Sequence, residues 1–322
     1  MNNKLEQTDK LNELNNKLDK ELDKELDNEL NSENIIWSKG FLNTNYTNKK
    51  TEVRSKENEI IDLINNSKEV IFIKTGSSSL LLDLDIFSKH LDKLKQPIIL
   101  ITTDGDRSVP SSYKKSTIDN ILNNEKVLKW YTQNYDRSII HPKLNYYPIG
   151  FSFHSLFIRK YFKNINDTIN FMIECRNNSP INKRIKYKIL SDTHNSITHK
   201  ERITLFNIIK DNKIFNLTQK RLEYTDITKE YNKYNFVLSP RGNGLDCHRT
   251  WELFMAGVII ITKTSSLDKM YIDNNLPVVI LNSWSELNNI DNNKIDEWYN
   301  LNIKKTEKIN IYPKLKYKYW LK

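Results

Sequence analysis

The chain has 322 residues, enough for two ordinary domains, and 38% hydrophobic and 11% aromatic residues to fill their cores. Its two cysteines, Cys175 and Cys247, exclude a disulfide framework and a CxxC metal or redox site. The net charge is +10, but residues 1–33 hold ten acids and five lysines, which leaves +15 on the rest; that balance suits anionic ligands without choosing among nucleotides, nucleic acid and acidic membranes.

Residues 1–33 predict a low-complexity helical or disordered segment, with leucines at 5, 11, 14, 18, 22, 26 and 30. A spacing of four drifts around a helix by about 40° per step, so these leucines form no single straight seam. The segment reads as a solvated helix or, alternatively, as a homo-oligomerisation arm. Its acidic start is unlike a signal peptide, and no apolar run reaches the length of a membrane span. The expectation is a reduced, cytoplasmic setting without a lumenal anchor or a transmembrane segment.

From about residue 57 the pattern alternates between helix and strand. Residues 59–64 end a helix, 69–74 form a strand, 80–94 a helix and 97–102 a strand. The loop Thr75-Gly76-Ser77-Ser78-Ser79 between the strand 69–74 and the helix 80–94 is either a plain helix cap or a contact for acceptor or phosphate. After Asp104-Gly105-Asp106, residues 117–124 predict a helix, 126–131 a strand, and 144–150 an apolar segment ending in a turn. A second series starts near Lys183, with strands at 187–191, 236–239, 258–262 and 278–281 and helices at 199–210 and from Glu286 onward. Alternation of this kind predicts an α/β fold with parallel, helix-covered sheets. The expected division is a first domain over 34–182 and a second over 183–322, with 155–183 as the crossing. The tail Tyr312–Lys322 alternates cations and aromatics, and either packs back on the body or meets membrane or RNA.

The richest stretch is Ser239-Pro-Arg-Gly-Asn-Gly-Leu-Asp-Cys-His-Arg-Thr-Trp-Glu252. Two of only seven glycines stand here, so Gly242 and Gly244 are expected at positive φ or in close approach to a ligand. Asp246 is the expected N-cap of the helix that follows, whose first turn would offer free N–H groups to phosphate. Arg241 and Arg249 can add forked, charge-assisted hydrogen bonds, with Asn243 in the loop between the glycines. Leu245, His248, Arg249 and Glu252 share one helix face, and Glu252 is placed for a ribose diol. Cys247, Trp251, Phe254 and Met255 fall toward a core face. Gly257 should end the helix. Alternatives are an ordinary Arg249–Glu252 ion pair and a structural His248. A dinucleotide fingerprint does not fit, because Cys247 occupies its third glycine position, and no Gly-Lys-Ser/Thr makes a Walker loop.

This stretch, with Ser266-Leu-Asp-Lys-Met-Tyr271, Leu276-Pro-Val-Val279 and Ser283-Trp-Ser-Glu286, resembles the C-terminal signature of exostosin-type glycosyltransferases. Upstream, 130–135, 141–144 and 148–150 are similar to exostosin-like proteins of algae and large DNA viruses. The resemblance implies a GT-B fold, two Rossmann-like domains facing a cleft. It implies transfer of a sugar from a nucleotide-sugar to a glycan, protein or lipid acceptor, in the host cytoplasm or virion if the viral likeness holds. It places Arg249 on the diphosphate and Glu252 on the ribose. Where the family often has Gly-Cys-x-Pro, this chain has Gly257-Val-Ile-Ile260.

Transfer needs a base for the acceptor hydroxyl. Asp104 and Asp106, directly after a strand, and His154 are the candidates. Asp104-Gly105-Asp106 could also hold Mn²⁺ or Mg²⁺, but the basic 241–252 pocket can neutralise a diphosphate without a metal, and no cofactor is expected. A non-catalytic nucleotide- or sugar-binding protein on the same fold is the rival reading. Nucleic acid is not favoured, for want of an RNA-binding signature.

Overall fold

The structure, a computed structural model, describes residues 21–40, 56–67, 69–76 and 83–322. The expectations for residues 1–20 and for Ser77–Ser79 lie outside these. Helix α1 (21–29) leads into the buried Leu30, while Leu26 packs on the core beneath it. Asp27 accepts from Lys308 Nζ at 2.8 Å and from Asn177 Nδ2 at 2.9 Å. Residues 21–29 are a helix as expected, exposed over most of its length, and Leu26, Asp27 and Leu30 dock it on the body of its own chain.

The first half runs through α2 (Glu57–Asn65), β1 (Val70–Lys74), α3 (Asp83–Lys89), β2 (Ile98–Thr103), α4 (Lys115–Asn123), β3 (Val127–Thr132) and β4 (Leu144–Tyr146). The four strands are parallel, in the order β1-β2-β3-β4. Successive side chains of a strand alternate between the faces of the sheet. Ile71, Ile73 and Leu100 pack under α2–α4, whereas Phe72, Ile101 and Tyr131 point into a core shared with the second half. Both faces are covered, so the strands read as nearly continuous apolar runs.

A short α5 (Leu156–Arg159) and the longer α6 (Ile165–Asn177) connect the halves. Then come β5 (Ile185–Ser191), α7 (Lys200–Ile209), β6 (Phe215–Leu217), α8 (Tyr224–Tyr231), β7 (Tyr234–Leu238), α9 (His248–Met255), β8 (Ile259–Lys263), α10 (Asp268–Asp273), β9 (Val278–Leu281), α11 (Asn292–Asn302) and α12 (Lys308–Ile311). This sheet is parallel throughout, in the order β6-β5-β7-β8-β9. The chain leaves β5 for β6 on one side and comes back to β7 on the other. The loops leaving β5 and β7 therefore diverge and open a crevice at the carboxyl ends of those strands.

The expected strands appear within one or two residues of their bounds. Helices α6 and α8 and the three-residue β6 were not anticipated. The tail packs back: Tyr312, Leu315 and Trp320 are buried, and the Ile36 amide donates to the Leu315 carbonyl at 2.8 Å. Two helix-covered parallel sheets meeting across a shared core make this an α/β, GT-B-like fold. Among the described residues no helix is long and apolar enough to cross a membrane.

Candidate functional site

The crevice between β5 and β7 holds a cavity of about 230 Å³. Asp192, immediately after β5, and Tyr231, at the end of α8, supply part of its floor, and Arg249 and Glu252 of α9 supply the rest. Ser152 and Ser155, which precede α5, line it as well. Helix α9 is oriented by its other face: Trp251, Phe254 and Met255 are fully buried, and this leaves His248, Arg249 and Glu252 turned to the cavity. Gly257, at φ +70°, ends the helix as expected.

Arg249 sits among acids. Its Nε lies 3.8 Å from Asp192 Oδ1, its side chain is 14% exposed, and its buried Nη1 has no hydrogen-bond partner. The pairing is with Asp192 rather than with Glu252 one turn along. Burial works against the guanidinium charge, but Asp192, then Tyr231, Cys247 and Glu252, hold its pKa above the usual arginine range. Glu252 responds in the opposite way. Burial pushes its carboxyl up to about 7, and Asp192 adds to that while Arg249 opposes it. The Tyr231 hydroxyl donates to Asp192 Oδ2 at 3.0 Å. An anion in the cavity would meet the Arg249 charge next to a carboxyl able to accept hydrogen bonds from hydroxyls.

No family model matches the sequence. No curated protein matches it either. Among solved structures, one described as trehalose-6-phosphate from E. coli bound with UDP-2-fluoro glucose superposes with a TM-score of 0.43 at 8% identity, over 82% of this chain and 74% of that one. WaaG, a glycosyltransferase involved in lipopolysaccharide biosynthesis, gives 0.30 at 9% identity, over 76% of this chain and 95% of that one. Likenesses of this size concern the general fold and assign no activity.

The glycine loop departs from expectation. Neither Gly242 nor Gly244 has a positive φ, and neither they nor Asn243 line the 230 Å³ cavity. What approaches Gly244 is Asn134 of the first half: a Cβ added there would stand 2.9 Å from Asn134 Nδ2. Asn134 cannot retreat, because its Oδ1 accepts from the Asp246 amide at 2.8 Å and its Nδ2 donates to the Gly105 carbonyl at 3.1 Å. The expected result for Gly244→Ala is a loss of roughly 1–3 kcal/mol from overpacking, read by thermal unfolding against Gly242→Ala. At Gly242 an added Cβ would meet the Cys247 sulfur at 3.3 Å, a milder contact. An unchanged Gly244→Ala midpoint would refute the close approach.

Asp246 is not the N-cap. That position falls to Cys247, which makes no side-chain cap bond. Asp246 instead turns inward, 4% exposed, and takes the Trp251 Nε1–H at 3.0 Å and the Ile149 amide at 2.8 Å. Two apolar neighbours with unpaired donors claim the carboxylate before the helix end can. His248 reinforces the same junction, its Nδ1–H donating to the Gly150 carbonyl at 2.8 Å. The loop thus forms the seam between the halves.

Arg241 and Arg249 do not converge. The Arg241 guanidinium folds back on its own loop, donating to the Asn243 carbonyl at 2.9 Å, and borders a separate cavity of about 130 Å³ with Lys263. Asp104 lies 3.8 Å from the buried Lys39 ammonium, and Asp106 is exposed; neither lines the 230 Å³ cavity. His154 lies nearer: its ring meets His248 edge-on at 5.7 Å, and its Nδ1 shares a hydrogen bond with Ser38 Oγ at 3.2 Å. Burial, then His248 and Lys39, lower its pKa to about 3, and burial lowers His248 to about 4. Among the described residues no group of three or more His, Cys, Asp or Glu side chains is arranged to hold a metal ion. Asp192 and Tyr231 are cavity residues that reading the sequence missed.

Proposed function

We propose that the chain is an exostosin-like glycosyltransferase that moves a sugar from a nucleotide-diphosphate donor to a hydroxyl of a glycan, protein or lipid acceptor. One observation carries the reading: a largely buried Arg249 lining a cavity at the switch point of a parallel sheet, with Glu252 one turn further along the same helix. The diphosphate would take Arg249 and the free N–H groups of the first turn of α9, and Glu252 would take the ribose diol. The acceptor oxygen bonds to the anomeric carbon as the bond from that carbon to the diphosphate breaks. The electron pair leaves with the nucleoside diphosphate, where Arg249 stabilises it, and the acceptor proton passes to a base. His154 is the proposed base of the first half, since it alone of the three candidates adjoins a cavity residue. Charge neutralisation by arginine makes a metal-independent reaction the expected one.

Binding without transfer is the second reading. It is favoured by the low pKa values of His154 and His248, which make both weak bases. Calorimetric titration with UDP, GDP, CDP and ADP and their sugar conjugates, with and without Mg²⁺, tests both. A nucleoside diphosphate should bind, and its sugar conjugate should then be consumed in an acceptor-dependent manner. Binding with an intact donor selects the second reading; no binding by any nucleotide removes both.

A further inference from the structure

A second and larger cavity, of about 560 Å³, opens between α1, the end of α6 and the start of α12. Arg176 and Arg184 line it, 5% and 7% exposed, and their hydrogen bonds go to neutral oxygens. Arg176 donates from Nη1 to the Met255 carbonyl at 3.0 Å and from Nη2 to the Thr306 carbonyl. Arg184 donates from Nε to the Ser179 carbonyl at 2.9 Å, from Nη1 to the Gly257 carbonyl at 3.3 Å and from Nη2 to Asn232 Oδ1 at 3.2 Å. The bonds to Met255 and Gly257 close the C-terminal end of α9, whose negative pole offsets part of the charge. A buried arginine is ordinarily paired with a carboxylate, as Arg249 is with Asp192. Among the described residues neither Arg176 nor Arg184 has a carboxylate at ion-pair distance. Burial, then Arg176, lowers the Arg184 pKa to about 9, the sign of two neighbouring cations short of counter-charge.

We infer that this cavity is a second binding site, for the phosphate group of a small soluble metabolite, with Arg176 and Arg184 as its cationic wall. The site is independent of the donor reading. A guanidinium has five N–H donors, so the bonds to α9 and its neighbours leave donors on both arginines for an oxyanion. A third cation stands ready: Lys308, 7% exposed, lines the same cavity and is held by Asp27 of α1 at 2.8 Å and by Asp23 at 3.7 Å. The acidic face of α1 thus supplies a counter-charge that an incoming anion would replace. The volume lies within the roughly 300–1,000 Å³ of small-molecule sites. Carboxylates of Asp23, Asp27 and Glu307 on the same lining repel a polyanion such as nucleic acid. They suit a single phosphate whose neighbouring hydroxyls donate to them.

The test is calorimetric titration of the full chain carrying Arg249→Ala, which removes the arginine of the other cavity, with inorganic phosphate and with glycerol 3-phosphate. Saturable binding is expected, weakening roughly fivefold or more between about 50 and about 250 mM salt. Ser179→Trp fills the cavity while keeping both arginines and the Ser179 carbonyl, and should abolish binding. Arg184→Gln should cost roughly tenfold, and thermal unfolding checks that both variants fold. Asp23→Asn, on the exposed side of α1, loosens the hold on Lys308 and should tighten phosphate roughly twofold. Arginines that only cap α9 would give no such gain. Absence of saturable phosphate binding, binding that Ser179→Trp leaves intact, or an Asp23→Asn variant that binds no tighter overturns the inference. Tighter binding of an oligouridylate or of phosphatidate vesicles than of glycerol 3-phosphate overturns it as well. Titration of UDP into the wild-type chain in the same buffer reports on the donor site separately.

Discussion

Arg249→Ala is expected to weaken nucleoside-diphosphate binding by roughly 100-fold, about 3 kcal/mol. The size follows from burial. A side chain only 14% exposed has little solvent to lose when an anion enters the cavity beside it. Removing it leaves Asp192 and Glu252 facing the diphosphate, so attraction turns into repulsion. Arg249→Lys keeps the charge but loses the fork, and should cost roughly tenfold. Because Asp192 loses its counter-charge even without ligand, calorimetric titration of each variant is paired with thermal unfolding. A lowered midpoint with unchanged nucleotide affinity would make Arg249 a structural counter-ion and end its assignment to the diphosphate.

The strands of both sheets were legible because Ile- and Val-rich runs such as Ile98–Thr103 and Ile259–Lys263 are buried on both faces. The two faces of α9 were legible for the same reason, since a 3.6-residue period separates Trp251 and Phe254 from Arg249 and Glu252. Helix α6 had a visible signal that went unread: Asn164 caps it, accepting from the Asp167 amide at 2.9 Å. The cavity floor was harder. Asp192 is a lone acid after a strand, and its importance depends on β5 lying between β6 and β7. With β6 only three residues long, that strand order cannot be read from a periodicity. The glycine loop misled for a related reason. Phosphate loops and domain seams both need small residues and close backbone approach, and only the position of Asn134, 110 residues upstream of Gly244, decides between them.

Asp246→Ala is expected to destabilise the chain by about 2–5 kcal/mol, because it strands two buried donors, the Trp251 Nε1–H and the Ile149 amide. One donor belongs to α9 and the other to the first half, so the damage falls on the seam itself. Hydrogen exchange should show faster opening at Ile149, and denaturant unfolding should show a lower midpoint. A loss below about 0.5 kcal/mol, the range of ordinary surface changes, would mean that Asp246 is not the link between the halves.

Asp246→Asn probes the same carboxyl through pH. Burial raises Asp246 from an ordinary 3.8 and Glu252 from 4.5, both to about 7. Each keeps its proton in the folded chain where the unfolded chain has released it. Their contribution to stability is complete below the unfolded values and is lost as pH rises through about 7. His154 and His248 act in reverse. Lowered from 6.5 to about 3 and about 4, they contribute stability above 6.5 that is lost as pH falls toward those values. Between about pH 6.5 and 4.5 the two carboxyls and the two imidazoles therefore pull in opposite directions. Asparagine removes one of the contributions that grow on acidification, so the variant should fall further behind the wild type as pH drops across that window. Above about pH 8, where Asp246 is ionised in both states, the gap between the two should stop changing. Parallel stability curves from pH 8 to 4.5 would show that the buried carboxyl does not hold its proton at neutral pH, and that the charged form spans the seam.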